Sequence, residues 1–236
     1  MMNSPLMRFM GIVLMAIAVT HAEMQDASAA DNKVSAGSKM AMVIIGASYA
    51  KGWNVVALDG MPVINKGVGG EQTHEMLARF DRDVIAVKPR VVLIWGFIND
   101  VFRSEPEERE EKLQRTRENL RNMVDKARRS GVVPILATEV TLPGDEGVVA
   151  SAMAWIGKMR GKQSYQDQIN NHVIEINQWI RGLAAEQKLV LLDFEKALAD
   201  EDGRRKREYT TEDGTHLSAR ADEALTHYAR GRKLLS

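Results

Sequence analysis

The sequence predicts an α/β protein in which a parallel sheet of five strands is covered by helices on both faces. From residue 39 onward, short runs rich in Val, Ile and Leu alternate with longer stretches whose apolar residues recur at helical spacing. This is the pattern of a parallel sheet between two layers of helices. The chain has 236 residues, a length that suits one domain with its own core. We therefore expect a three-layer α/β/α sandwich over residues 39–236.

The expected strands and helices alternate along the chain. The strands are short apolar runs at residues 42–45, 62–65, 91–95, 132–140 and 189–193. The helices are expected from residue 49 and over residues 71–87, 105–130, 170–187 and 217–235. The helix at 105–130 is dense in Glu and Arg, and its apolar residues share one side: Leu113, Leu120, Met123, Val124 and Ala127. Its charges are therefore expected to form a solvated face.

The connection at residues 141–168 is long for a compact domain, and it presents Met153, Trp155 and Met159. Connections of this length are usually functional or disordered. We expect a lid or one wall of an acyl pocket, with a packed insertion as the alternative.

Residues 1–30 have the pattern of a secretory signal peptide followed by a linker. A single positive charge at Arg8 precedes an apolar run at residues 9–19, and small residues follow. The run is short of the roughly 20 residues that a membrane-spanning helix needs. The sequence thus predicts a periplasmic or secreted protein with no stable membrane anchor after cleavage.

Composition narrows the classes of function. The 32 basic residues balance 32 acidic ones, so no charge excess favours nucleic acid, and a small-molecule partner fits better. Cysteine is absent, which excludes disulfides, a thiol nucleophile and a cysteine-linked lipid on this sequence. His74, His172 and His227 lack a second ligand at metal spacing. No metal or organic cofactor is expected.

Two motifs supply the residue types of an activated serine. Gly46-Ala47-Ser48 follows the first expected strand, at the carboxyl end where α/β sheets carry their sites. Asp213 and His216 are three residues apart, close enough for carboxylate and imidazole to meet. A serine hydroxyl needs a base, and the base needs an orienting group. Taken singly, Ser48 and Asp213 could instead be helix N-caps.

Two further motifs offer hydrogen-bond donors between these ends. A glycine turn with Gly69 and Gly70 follows the second expected strand, and Asn99-Asp100 follows the third. Backbone N–H groups and an Asn side chain are typical donors to an oxyanion. The glycine turn lacks the Gly-Lys-Ser/Thr ending of a phosphate-binding loop.

With these motifs in this order, the chain resembles the SGNH (GDSL-type) hydrolases, which have a flavodoxin-like three-layer fold. The resemblance implies that Ser48 is the nucleophile, and that His216 is the base and Asp213 its acidic partner. It further implies an oxyanion hole formed by Ser48, Gly70 and Asn99.

The resemblance covers roughly residues 41–225 and includes two departures. Ala47 stands where the family commonly has an aspartate before the serine. Phe97 stands two residues before Asn99, where the family usually has glycine, and Gly96 is displaced by one position. Gly69 is an alternative to Gly70 as the backbone donor.

The resemblance implies a serine esterase that hydrolyses carboxylic esters, such as lysophospholipids, short-chain or aryl esters, or O-acetyl groups of glycans. Two alternatives stay open. One is an O-acetyl transferase or deacetylase acting on cell-envelope glycans, and the other is a nonhydrolytic envelope-binding protein with a relic site. The α/β-hydrolase fold fits less well because Ala50 fills the last position of its Gly-x-Ser-x-Gly motif.

Overall fold

The computed structural model describes residues 40–144 and 164–235. The predicted signal peptide lies outside the described residues. So does the central part of the predicted lid, residues 145–163, with Met153, Trp155 and Met159.

The central sheet has six strands. They are β1 (Met42–Gly46), β2 (Ala57–Leu58), β3 (Met61–Gly67), β4 (Val91–Trp95), β5 (Val133–Ala137) and β6 (Val190–Leu192). Their order across the sheet is β2-β3-β1-β4-β5-β6. All neighbours run parallel except β2, which pairs with β3 in the antiparallel sense. The five predicted strands are confirmed. The predicted total of five was wrong, because the sheet has a sixth strand, β2, at its edge.

The edge strand escaped prediction because it is only two residues long. It is joined to β3 by Asp59 and Gly60, which both have positive φ angles, 49° and 75°. Such a pair closes a two-residue hairpin whose twist matches that of the flanking strands. An Asp-Gly turn is visible in the sequence, whereas two residues are too few to show an alternating pattern.

Seven α-helices are found in the described part of the chain. They are α1 (Ser48–Gly52), α2 (Thr73–Ala78), α3 (Ile98–Phe102), α4 (Arg109–Arg129), α5 (Tyr165–Glu186), α6 (Phe194–Leu198) and α7 (Ala219–Arg230). The predicted helix at 71–87 is broken into α2 and a π-helical turn, Asp81–Ile85. The five residues that were predicted to line one side of α4 are all buried.

Side-chain hydrogen bonds explain where two elements differ from prediction. Helix α5 begins five residues early because the Ser164 hydroxyl accepts a hydrogen bond from the N–H of Asp167 at 3.1 Å. Strand β5 ends at Ala137, not at residue 140, because the N–H of Glu139 donates to Asn177 Oδ1 on α5 at 2.8 Å and not to a neighbouring strand.

The core lies on both sides of β1 and β4, whose residues are all buried. This double burial explains why both strands are continuous apolar runs and not alternating ones. Among the described residues, no helix has the length and apolar character that crossing a bilayer requires. The carboxyl ends of β1, β3 and β4 meet at one edge of the sheet, where the candidate site lies.

Candidate active site

Ser48 is the first residue of α1 and follows β1 after a sharp turn. The turn needs Gly46, since a Cβ at that position would lie 1.9 Å from the carbonyl oxygen of Trp95. Ser48 is half-buried. Its N–H belongs to the first helical turn, where backbone donors have no intrahelical acceptor. Its hydroxyl makes no hydrogen bond to any residue that the structure describes.

Asp213 and His216 form a close pair. His216 Nδ1 lies 2.7 Å from Asp213 Oδ2. The other oxygen, Asp213 Oδ1, accepts from the N–H groups of Thr215 and His216 at 2.7 and 2.9 Å and from the Thr211 hydroxyl at 2.8 Å. One carboxylate therefore orders the turn with one oxygen and orients the imidazole with the other.

The hydrogen bonds around Asp213 keep it charged. The His216 N–H, the His216 imidazole and the Thr215 N–H hold the pKa of the Asp213 carboxyl well below its usual range. Asp213 does not cap the last helix, because Ser218 performs that role by accepting from the N–H of Ala221. An ionised carboxylate at Nδ1 keeps the proton on that nitrogen and leaves Nε2 free to act as a base.

Gly70 and Asn99 lie beside each other at the ends of β3 and β4. Asn99 Nδ2 donates to the carbonyl oxygen of Glu71, the residue after Gly70, at 2.9 Å. Gly70 has a φ angle of 81°, in the left-handed region that favours glycine. Gly69, the alternative donor, is exposed next to it. The structure thus brings the two predicted donor positions together.

Asp100, the other member of the Asn-Asp pair, makes its hydrogen bonds to α2 and α4. Its carboxylate accepts from the N–H and hydroxyl of Thr73 at 2.9 and 2.7 Å, and from the Thr116 hydroxyl at 3.2 Å. Burial raises the pKa of Asp100. These contacts attach α3 to α2 and α4, so Asp100 supports the position of Asn99.

The Phe97 departure is accommodated without a glycine at that position. Phe97 has a φ angle of −157° and is buried in the core. The φ angle that requires glycine, 147°, falls on Gly96 instead. A Cβ on Gly96 would lie 2.8 Å from the nitrogen of Ala47. The displaced glycine therefore lets the β4 loop pack closely against the serine turn.

Glu139 is a residue that the sequence analysis missed. It is fully buried, and its Oε2 accepts from the N–H groups of Phe97 and Ile98 at 2.8 and 3.3 Å, at the start of α3. Burial raises the pKa of Glu139. Asn177 on α5 holds its backbone from both sides, at 2.8 Å each. A glutamate inside the apolar run 132–140 was the signal that could have identified it.

Tyr49 and Arg205 were also missed. The Tyr49 hydroxyl donates to the carbonyl oxygen of Thr215 at 2.9 Å, and Arg205 Nη2 donates to the same oxygen at 2.8 Å. The rings of Tyr49 and His216 meet edge to face, with centroids 6.5 Å apart. Through these contacts the turn that carries Ser48 lies against the turn that carries His216.

The described residues contain no group of three or more His, Asp or Glu side chains placed to hold a metal ion. The arrangement at this sheet edge instead combines a hydroxyl, an imidazole with its carboxylate, and amide donors. These groups can add an alcohol oxygen to a carbonyl and stabilise the charge that develops on the carbonyl oxygen.

This chain matches parts of two known proteins. It is 37% identical over 79 residues to the uncharacterized lipoprotein YqeF of Bacillus subtilis (strain 168), covering 33% of this chain and 32% of that protein. It is 48% identical over 44 residues to an acetylxylan esterase of Geobacillus stearothermophilus, covering 19% and 20% respectively. The alignments thus span about a third and a fifth of these relatives.

The fold is shared over a greater length. A solved structure from Desulfitobacterium hafniense DCB-2, assigned to the G-D-S-L family of lipolytic proteins, matches with a TM-score of 0.63 and 23% identity. The match covers 81% of this chain and 98% of that one. The family model for the GDSL-like Lipase/Acylhydrolase family matches residues 45–224, which include all five predicted site residues. The chain therefore belongs to the GDSL-like Lipase/Acylhydrolase family.

Proposed function

We propose that this protein is a serine ester hydrolase that acts on carboxylic esters through Ser48, His216 and Asp213. The observation that carries the proposal is the contact of Asp213 Oδ2 with His216 Nδ1 at 2.7 Å, in a turn held against the serine turn through Tyr49. Membership of an acylhydrolase family supports the same reaction class.

In the proposed mechanism, His216 Nε2 takes the proton of the Ser48 hydroxyl as the oxygen attacks the ester carbonyl. The N–H groups of Ser48 and Gly70 and the side-chain amide of Asn99 donate to the oxyanion. The protonated imidazole, paired with Asp213, then gives its proton to the departing alcohol. Water enters with His216 again as base, and hydrolysis of the acyl-serine releases the acid.

Among candidate substrates, O-acetyl esters of glycans have specific support from the acetylxylan esterase relative. Short-chain or aryl esters and lysophospholipids remain candidates of the same reaction class. An O-acetyl transferase would use the same acyl-serine with a sugar hydroxyl in place of water. Release of free acetate from acetylated xylan, compared with transfer to an added oligosaccharide, separates hydrolysis from transfer.

We further propose that the protein is exported, on the basis of the apolar run at residues 9–19 and the small residues that follow it. Mass spectrometry of periplasmic material is expected to find a mature N-terminus between residues 23 and 31. An intact N-terminus in the cytoplasmic fraction would contradict export.

Labelling with a fluorophosphonate probe tests the proposed nucleophile directly. We expect the probe to modify Ser48 and to abolish hydrolysis of an acetyl ester. Ser48→Ala should neither label nor hydrolyse, whereas Ser130→Ala, at the exposed C-terminal end of α4, should do both. Absence of labelling in the folded wild-type protein would favour the nonhydrolytic envelope-binding alternative.

A further inference from the structure

Arg205 is a buried guanidinium whose side-chain hydrogen bonds go to neutral groups and not to a described carboxylate. It is 1% exposed, and it makes no ion pair with an acidic side chain in the described part of the chain. Its Nε has no hydrogen-bond partner there. Burying a charge without a counter-charge is costly, so the contacts that Arg205 does make require an explanation.

Those contacts converge on the catalytic turn. Arg205 Nη2 donates to the carbonyl oxygen of Thr215 at 2.8 Å, and Nη1 donates to the Tyr49 hydroxyl oxygen at 3.4 Å. The guanidinium carbon lies 5.6 Å from the centre of the Tyr49 ring, within the range of a cation–π contact. Arg205 thus touches both the residue after Ser48 and the residue before His216.

Tyr49, the residue after Ser48, also contacts the carbonyl of Thr215. It is 5% exposed, and its hydroxyl donates to the Thr215 carbonyl oxygen at 2.9 Å. Burial, the main cause, raises the pKa of Tyr49 to about 12, so the phenol stays a neutral donor throughout the working pH range. One carbonyl oxygen therefore receives two donors, and the bond from Tyr49 joins residues that lie 166 positions apart in the chain.

The contact between Tyr49 and Thr215 matters for catalysis because Tyr49 follows Ser48 and Thr215 precedes His216 in the chain. Asp213 orients the imidazole ring within its own turn, but none of its hydrogen bonds to described residues fixes that turn relative to Ser48. The Ser48 hydroxyl itself makes no hydrogen bond to a described residue. The distance between the nucleophile and its base therefore depends on contacts made by their chain neighbours.

We propose that Tyr49 and Arg205 are positioning residues that clamp the carbonyl of Thr215 and so hold His216 at the correct distance from Ser48. The inference rests on the proposed function, since it assigns the clamp a role in the transfer of the Ser48 proton to His216. Neither residue touches the reacting atoms. Loss of the clamp should slow the chemical step and leave substrate binding nearly unchanged, because small misplacements of a base cost rate more than affinity.

The test uses full-length protein and an acetyl ester of p-nitrophenol. Tyr49→Phe keeps the ring and removes the donor, and we expect kcat to fall about 5- to 10-fold with KM within twofold of wild type. Arg205→Lys retains one donor and should fall between wild type and Arg205→Met. Tyr228→Phe is the matched control, because it removes a hydroxyl that accepts from Asp193 N and Arg232 at 3.2 and 3.0 Å, neither of which is a predicted site residue.

A double-variant comparison separates positioning from general damage. In a His216→Ala background the base is gone, so Tyr49→Phe should cause no further loss of the residual rate. An equal loss in both backgrounds, or an unchanged kcat in folded Tyr49→Phe, would overturn the clamp while Ser48-dependent activity still upheld the proposed function. Full activity in folded Ser48→Ala would overturn both.

Discussion

Replacing Asp213 by Asn should separate the two tasks of this carboxylate. Three of its four hydrogen bonds converge on Oδ1, from Thr211, Thr215 and the His216 N–H. An asparagine oxygen has two lone pairs and can keep the two backbone N–H donors, so the turn is expected to persist. The fourth contact, between Oδ2 and His216 Nδ1 at 2.7 Å, cannot persist, because the asparagine NH₂ group is itself a donor.

The expected loss of rate follows from that reversed contact. Facing an NH₂ group, the imidazole is stabilised with Nδ1 as acceptor and the proton on Nε2, where it cannot take the Ser48 proton. Relative to wild type, the productive tautomer in Asp213→Asn lacks the hydrogen bond to a charged group, which is worth about 1.5–3 kcal/mol. Both side chains are half-exposed, so water can solvate the two opposed donors and they add little. At about 1.4 kcal/mol per tenfold, kcat should fall roughly 10- to 100-fold.

The assay is steady-state hydrolysis of an acetyl ester together with urea denaturation. Asp213→Asn should lose rate with little change in the denaturation midpoint, whereas Asp213→Ala should lose rate and stability because Oδ1 is removed as well. Asp200→Asn is the matched control, since Asp200 Oδ1 orders a turn by accepting from the N–H groups of Asp202 and Arg204 at 3.0 and 2.9 Å. A kcat within tenfold of wild type for folded Asp213→Asn would refute the assigned role.

Three other expectations concern the same site. Ser48→Ala, His216→Ala and the double variant should lose kcat to a similar extent, each more than Asp213→Asn, because either removal disables the nucleophile; additive losses in steady-state kinetics would contradict this. Asn99→Ala should lower kcat on the order of 100-fold with KM nearly constant, and full activity would remove Asn99 from the oxyanion hole. Glu139→Gln should lower the free energy of unfolding by about 1–3 kcal/mol in urea titration, since the buried N–H of Val140, which donates to Glu139 Oε1 at 3.3 Å, would face an NH₂ group; an unchanged midpoint would argue against that contact.

The fold was largely predictable because its signals are local. The five parallel strands are short apolar runs, and β4 was placed with its observed bounds because both of its faces are buried. The element boundaries that were predicted wrongly are those set by contacts with residues far along the chain. Strand β5 was predicted to end three residues too late because its end is set by Asn177, which lies 38 positions beyond Glu139 in the chain.

The residues of the candidate site were likewise predictable where their contacts are local, and not where their contacts are with distant segments. Asp213 and His216 are three residues apart, so their contact is a property of one turn and the spacing reveals it. The predicted donor positions at Gly70 and Asn99 follow from strand ends that share one sheet edge. No comparable pattern marks Arg205, because it lies in the charge-rich stretch 200–208, which resembles a solvated loop.

Burial, not residue type, gives Arg205 and Glu139 their importance, and burial depends on which segments close over them. Arg205 meets Tyr49, 156 positions away, and Glu139 meets Phe97, 42 positions away. Both act on main-chain groups next to predicted site residues, the carbonyl of Thr215 before His216 and the N–H of Ile98 before Asn99. Glu139 thereby anchors the loop in which Phe97 stands two residues before Asn99. We therefore expect the loss of these charges to disturb the geometry of the site more than its chemistry, and to affect kcat before KM.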